Sequence, residues 1–339
     1  MSKRKKIRRD LIVVGGSAGA LDALRDLVSR LPGELPAPIL VVIHIPNEFP
    51  SHLPEILGRA GPLPAIQVDK AEKLKNGTIY IAPPDRHLLV NDGYVEASRG
   101  PRENRHRPAV DPLFRTAART YGPRAMGVVL SGNLDDGSSG LMAVKMKGGL
   151  TVVQDRREAL CPEMPMRARE YADADYELPV AEIAKLLVKA TSESQAIELP
   201  EGEVVMDDPK GADKANLETD ANKNKQGKPS AFACPECSGV LWELQERELL
   251  RFRCRVGHAY TADSLGTAMS ESVEEALWAS MRALQEKAAL MRRLADRASE
   301  KQANEYEAEA SGYDKHVETI RQILVDNQSL QEQEENAAD

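Results

Sequence analysis

Uninterrupted apolar runs of four or five residues, rich in Val and Ile, recur along the first 190 or so positions and alternate with stretches of helical periodicity. Leu11-Ile12-Val13-Val14, Ile39-Leu40-Val41-Val42-Ile43 and Met126-Gly127-Val128-Val129-Leu130 read as strands covered on both faces, the pattern of a parallel sheet. Ala65–Val68, Thr78–Ala82 and Thr151–Gln154 predict further strands, and Leu88–Val90 with Tyr94–Ala97 predict a hairpin around Asn91-Asp92-Gly93. Helices are expected over Leu21–Leu31, Asp111–Tyr121, Ser138–Lys147 and Pro179–Val188. Strand-helix alternation of this kind predicts an α/β domain over residues 8–195, doubly wound about a mainly parallel sheet.

Past Leu199 the pattern changes. Residues 196–230 are rich in Asp, Lys, Asn, Gly and Pro with little to bury, and read as a disordered linker. Residues 231–262 form a small cysteine-bearing module. Over residues 263–330, Val273, Leu277, Met281, Leu284, Ala288, Met291 and Ala295 alternate at spacings of four and three. Tyr313, Val317, Ile320 and Leu324 resume that spacing after a break expected at Ser311-Gly312, which predicts a helical hairpin or a coiled-coil dimer seam. Residues 331–339 make an acidic tail, expected to be disordered.

Composition narrows the function. At 339 residues with 42% hydrophobic and 29% charged content, the chain can bury about two ordinary cores. A net charge of −8 and an aromatic content of 4% disfavour nucleic acid as a partner. No apolar run approaches the length that crosses a bilayer, so membrane insertion is not expected. The basic start, Ser2 to Arg9, lacks an apolar segment behind it and reads as a disordered solubilising tail rather than a signal peptide. Four cysteines, three of them clustered, point to a metal site in a reducing, cytoplasmic setting.

Ser17 lies on the glycine-rich turn Gly15-Gly16-Ser17-Ala18-Gly19, between the first strand and the first helix. A serine there is either a nucleophile beside free helix N–H groups or part of a phosphate cradle. Neither Gly-x-Gly-x-x-Gly nor a P-loop lysine is present, which weakens the cradle. His44 follows the second buried strand, and Asp135-Asp136 follow the Met126–Leu130 strand. Groups outside the carboxyl ends of neighbouring parallel strands meet in one crevice, where an imidazole can activate a hydroxyl and a carboxylate can orient the imidazole. Taken singly, a structural histidine or an aspartate that caps a helix would read the same way. Farther on, Cys234-x-x-Cys237 and Cys254-x-x-x-His258 supply four ligands from two turns, a set suited to a structural Zn²⁺ ribbon with no open coordination position. Arg247, Arg251, Arg253 and Arg255 around it are offset by Glu243, Glu246 and Glu248. Cys161 stands apart and reads as a buried free thiol.

The chain resembles the bacterial chemotaxis protein-glutamate methylesterases (CheB-type) over about residues 10–190. The resemblance is carried by Gly15-Gly16-Ser17-Ala18-Gly19, Val42-Ile43-His44-Ile45-Pro46, Tyr80–His87, His106–Phe114 and Leu130–Gly137. It implies Ser17 as nucleophile, His44 as base and Asp136 as the orienting carboxylate, with Asp135 a neighbour lacking that role. No cofactor is implied for catalysis. The implied substrate is a glutamate γ-methyl ester on a chemoreceptor, with glutamine deamidation by the same chemistry. Members usually carry a receiver domain ahead of the catalytic one, whereas nine residues precede the catalytic segment here, so gating within the chain is not expected. Asn133-Leu134 stands where the family usually has Met-Gly, at a position whose backbone helps form the oxyanion hole. Two rival readings are a signalling adaptor that uses the esterase fold for docking, and a zinc-ribbon nucleic-acid binder with an attached catalytic domain.

Overall fold

The structure is a computed structural model and describes residues 4–44, 51–198, 227–246 and 249–338. It divides into two compact units, residues 1–265 and 266–339.

The first unit is built on seven parallel strands: β2 (Leu11–Gly16), β3 (Ile39–Ile43), β4 (Ala65–Gln67), β6 (Ile79–Ile81), β9 (Ala125–Val129), β10 (Leu150–Gln154) and β11 (Tyr176–Leu178). Their order across the sheet is β11-β10-β9-β2-β3-β6-β4, and every neighbouring pair is parallel. Alternate residues of each strand face opposite layers. Val13, Leu40, Val129 and Val153 pack with α3 (Val110–Tyr121), α4 (Ser138–Met146) and α5 (Glu163–Ala172). Ile12, Val14, Val41 and Val128 pack with α1 (Ala20–Ser29), α2 (Leu53–Ala60) and α6 (Val180–Ser192). Covering both faces explains the unbroken Val/Ile runs of the central strands, because side chains on either face of them are buried. β7 (His87–Asn91) and β8 (Tyr94–Ser98) form the expected antiparallel hairpin, to which β5 (Glu72–Lys73) adds a short edge.

The chain start departs from expectation. Arg4–Arg8 is not a loose tail but a strand, β1, paired antiparallel with β12 (Ser194–Glu198). Its partner lies at the far end of the domain, so local composition could not reveal the pairing. Residues 199–226, most of the expected linker, lie outside the described residues. A four-stranded antiparallel sheet then begins at Lys228, inside the stretch expected as linker. It comprises β13 (Lys228–Ala233), β14 (Val240–Glu246), β15 (Leu249–Cys254) and β16 (Ala259–Thr261). This module shares a compact unit with the α/β domain, and Leu249 belongs to that domain's core.

The second unit is a helical hairpin. A helix over Ala262–Ala295 leads into it, and a second spans Glu300–Ala338. The turn falls at residues 296–299, not at Ser311-Gly312. Ser299 starts the second helix, its Oγ bonded to Gln302 Oε1 at 2.9 Å, and Gly312 sits inside that helix with open space where a Cβ would be. Met281, Ala288 and Ala295 are buried, as are Ala310, Val317 and Leu324, each set spaced by sevens as in a coiled-coil seam. Arg292 pairs with Asp314 and Glu307 across the hairpin, which sets the two helices antiparallel. The helix continues to Ala338 through the acidic tail, whose side chains lie outside the described residues.

Candidate active site

β2 lies between β9 and β3, so the loops leaving the carboxyl ends of all three converge at one rim. The β2–α1 turn is tight because its glycines admit close neighbours. A Cβ on Gly15 would lie 2.2 Å from Val110 Cγ1, and Gly19 has φ +73°. The Ser17 N–H donates to the Ser131 carbonyl at 2.9 Å, and the Ser17 carbonyl accepts from the Ala20 N–H at 3.1 Å. Gly132 adjoins this turn, since a Cβ there would come 2.9 Å from Ser17 Cβ and 2.1 Å from Met164 Sδ.

His44 bridges the other two predicted residues. Its Nδ1 is 3.1 Å from Ser17 Oγ, and its Nε2 is 2.7 Å from Asp136 Oδ2. A carboxylate only accepts, so the neutral imidazole carries its hydrogen on Nε2 and takes the serine hydroxyl's hydrogen bond at Nδ1. The side chains of His44 and Asp136 are 7% and 2% exposed. Asp136 Oδ2 also accepts the Val110 N–H at 2.6 Å, and Oδ1 accepts the Asp111 N–H at 3.2 Å, both at the N-terminus of α3. Burial alone would raise the Asp136 carboxyl. The hydrogen bond and charge of His44, with the Val110 N–H, outweigh it and hold the carboxyl well below its ordinary range. The three groups form a hydrogen-bonded chain able to move a proton off the serine hydroxyl.

Around this chain stand residues to which the sequence reading gave no role. His106 stacks on His44 with ring centroids 3.6 Å apart, and burial, then the His44 charge, bring it down to about 4, so it stays neutral. Asn104 Nδ2 donates to Asp136 Oδ1 and to Asp111 Oδ2, each at 3.0 Å. Asp111 Oδ1 accepts the Gly140 N–H at 2.6 Å. Burial, then the Asp136 charge, pushes Asp111 up to about 7. Asp135, next to Asp136, accepts from Thr261 Oγ1 at 2.8 Å. His106 and Asp111 lie in the motif His106–Phe114, but Asn104 precedes it and carried no local signal.

Leu134 takes a left-handed backbone conformation, φ +62°, where a glycine would be free of strain. Its N–H donates to Glu163 Oε2 at 2.7 Å and is therefore engaged. Among the described residues, the N–H groups of Ala18 and Asn133 have no acceptor. Both flank the Ser17 side chain in sequence or through Gly132. Cys161 is a free thiol, half-buried rather than buried, and its carbonyl accepts the Gly132 N–H at 2.9 Å.

The four predicted metal ligands also converge. The Sγ atoms of Cys234, Cys237 and Cys254 and the His258 ring nitrogen lie within 4.8 Å of one another. Cys237 Sγ is 3.7 Å from Cys254 Sγ, and His258 Nδ1 is 3.6 Å from Cys234 Sγ and 3.5 Å from Cys254 Sγ. A tetrahedron with metal–sulfur bonds of about 2.3 Å has edges of about 3.8 Å, so the cluster fits one ion and could hold a metal. No disulfide links the cysteines. Arg247 and Glu248 lie outside the described residues, as does the side chain of Glu246.

Comparison with known proteins adds a family. The profile described as CheB methylesterase matches residues 12–187. A protein of Anaeromyxobacter dehalogenans, named protein-glutamate methylesterase/protein-glutamine glutaminase 2, is 38% identical over 184 residues, covering 54% of each chain. A Leptospira interrogans protein named for the same two activities is 36% identical over 181 residues, covering 53% of this chain and 94% of its own. The solved structure of the Thermotoga maritima CheB methylesterase catalytic domain superposes with a TM-score of 0.51 at 33% identity, covering 54% of this chain and 98% of that one. With half its length matched to the profile, and that half folded as a parallel α/β sheet, the chain belongs to the CheB methylesterase family.

Proposed function

We propose that this protein is a serine esterase that hydrolyses glutamate γ-methyl esters on chemoreceptors and, by the same chemistry, deamidates glutamines. The observation that carries the reading is the hydrogen-bonded chain from Ser17 Oγ through the His44 ring to Asp136. As Ser17 Oγ attacks the ester carbonyl, His44 Nδ1 takes its proton and becomes an imidazolium. Asp136 stabilises that cation through the Nε2–H bond. The Ala18 and Asn133 N–H groups serve the oxyanion, while Leu134, tied to Glu163, holds the loop rather than the substrate. The imidazolium then protonates the departing methoxide, and methanol leaves an acyl-enzyme. Water attacks next, with His44 again the base, and glutamate is released. For glutamine the first leaving group is ammonia. His106, neutral near pH 7, adds a flat face behind His44 without a competing charge.

We further propose that the Cys234, Cys237, Cys254 and His258 cluster holds a structural Zn²⁺. With four protein ligands the ion has no open position and would fix β13–β16 rather than act on substrate. The helical hairpin is read as a self-association or docking element. Among the described residues, no helix is long and apolar enough to cross a membrane.

Methanol release from a methylated receptor fragment tests the central reading. The Ser17→Ala chain should lose activity by a factor of about 10⁴ or more while keeping its thermal transition. Turnover near that of the wild type would reject Ser17 as nucleophile, and a wild-type chain that releases no methanol would favour the adaptor reading.

A further inference from the structure

The Cys/His module and the Ser17–His44–Asp136 chain meet at one side chain. Asn104 is 2% exposed, and its amide makes four hydrogen bonds. The two Nδ2 hydrogens go to the two carboxylates, Asp136 Oδ1 and Asp111 Oδ2. Oδ1 accepts from the Thr261 N–H and from Ser264 Oγ, each at 3.2 Å. Thr261 ends β16 and Ser264 lies in the first turn of the helix that follows, so both bonds to Oδ1 come from the end of the C-terminal module and the helix turn continuous with it. The amide cannot be reversed. Doing so would aim its oxygen at two carboxylates and its NH₂ at a backbone N–H.

The backbone of the same loop is held by the module too. The Asn104 N–H donates to the Ala259 carbonyl at 2.8 Å, and the Ala259 N–H donates to the Arg102 carbonyl at 3.3 Å. Asn104 and Arg105 both have positive φ, 48° and 69°. Two consecutive left-handed residues persist only where the surroundings impose them. Glu103 is clamped between Arg115, 2.7 Å away in α3, and Arg251, 3.4 Å away in β15. Burial would raise this carboxyl, but the two guanidiniums outweigh it and keep it ionised. Thr261 and Ser264 in turn lock each other. Thr261 Oγ1 accepts the Ser264 N–H at 3.1 Å, and Ser264 Oγ accepts the Thr261 N–H at 2.9 Å, a reciprocal cap at the start of the helix.

We infer that the Cys/His module completes the esterase site: through Thr261 and Ser264 it fixes Asn104, and Asn104 is the positioning residue that orients Asp136 toward His44. The inference rests on the esterase reading above. It assigns the module a part in turnover that a detached zinc ribbon would not have. Asn104 hydrogen-bonds Asp136 and not Ser17 or His44, so its loss should lower kcat with KM little changed.

The test uses the full chain and compares wild type, Asn104→Ala and Ser264→Ala. Methanol release gives kcat and KM, and the downfield imidazole N–H resonance of His44 in histidine-¹⁵N-labelled protein reports the bond to Asp136. Ser264→Ala is the milder variant and still decides the matter should Asn104→Ala misfold. One bond to a charged carboxylate corresponds to a fall in kcat of about ten- to a hundredfold for Asn104→Ala, with KM within about twofold. Ser264→Ala should fall in the same direction by a smaller factor. In both variants the His44 resonance should move upfield or vanish into solvent exchange. Variants that fold, keep kcat within about twofold and leave the resonance where it is would overturn the inference. The resonance reads the His44–Asp136 bond whether or not any ester turns over, so a wild type inactive on esters would count against the esterase reading while the resonance still decides this one.

Discussion

Asp135 stands beside Asp136 and is a liability of the fold above neutral pH. It is 1% exposed, with one oxygen accepting from Thr261 Oγ1 and the other, Oδ2, without a partner among the described residues. Burial, with Asp111, Asp263 and Asp136 adding like charge against the Thr261 hydrogen bond, pushes its carboxyl from 3.8 up to about 7. A group whose pKa is raised on folding contributes stability that is complete below its unfolded value and is lost as pH climbs through its folded one. For Asp135 that window runs from about pH 4 to about pH 7. At about 1.4 kcal/mol per pH unit, wild type should lose about 3 kcal/mol from this group between pH 5 and pH 8. Asp135→Asn keeps an oxygen for Thr261 and never ionises. Its effect on stability should therefore become more favourable by up to about 3 kcal/mol over that interval, whatever its sign at pH 5. For a unit of this size the corresponding gain in Tm relative to wild type is up to about 6–12 °C. Calorimetric scans of both chains near pH 5 and near pH 8 measure the difference, in which Asp111, present in both chains, enters through its charge coupling to Asp135. A difference in Tm that stays flat or shrinks toward pH 8 would show that Asp135 is not buried as an acid and would refute the reasoning.

Other outcomes follow from the same geometry. Gly132→Ala places a methyl against Met164 Sδ and Ser17 Cβ, so kcat should fall well beyond tenfold with destabilisation of about 1–3 kcal/mol; steady-state kinetics and thermal scans check both. Elemental analysis of the purified chain should give about one zinc per chain, reduced in Cys237→Ser, and a metal-free chain of native stability would discard the structural ion. If the hairpin is a dimer seam, the full chain should sediment as a dimer and a truncation after Leu265 as a monomer; equal masses per chain would leave it a docking element only.

Much of the α/β domain was legible because a parallel sheet covered on both faces writes itself as unbroken Val/Ile runs, and β3 was read to the residue. The elements that escaped carry weak or misleading local patterns. α5 begins Glu163-Met164-Pro165 and interleaves charged residues with short apolar ones, and α2 has a proline near its start. β1 is a basic stretch that becomes a strand only through β12, nearly the whole domain away. Ser311-Gly312 looks like a breaker yet lies inside a helix, whereas Ser299 and Gln302, spaced as a helix-capping pair, mark where that helix starts. In the candidate site, Ser17, His44 and Asp136 are legible at strand ends and the Cys234, Cys237, Cys254 and His258 set by its spacing, and the structure brings each group together. Asn104 did not, since its partners Asp136, Thr261 and Ser264 are distant in sequence and only the folded chain unites them.

Covalent capture tests most directly whether Ser17 is a nucleophile activated by His44. The full chain would be treated with a small activated phosphonate ester, an analogue of the tetrahedral intermediate, and the modified residue mapped by peptide mass spectrometry. One adduct per chain is expected, on Ser17, absent in Ser17→Ala and formed far more slowly in His44→Gln. An adduct on another residue, or equal labelling rates in wild type and His44→Gln, would contradict it.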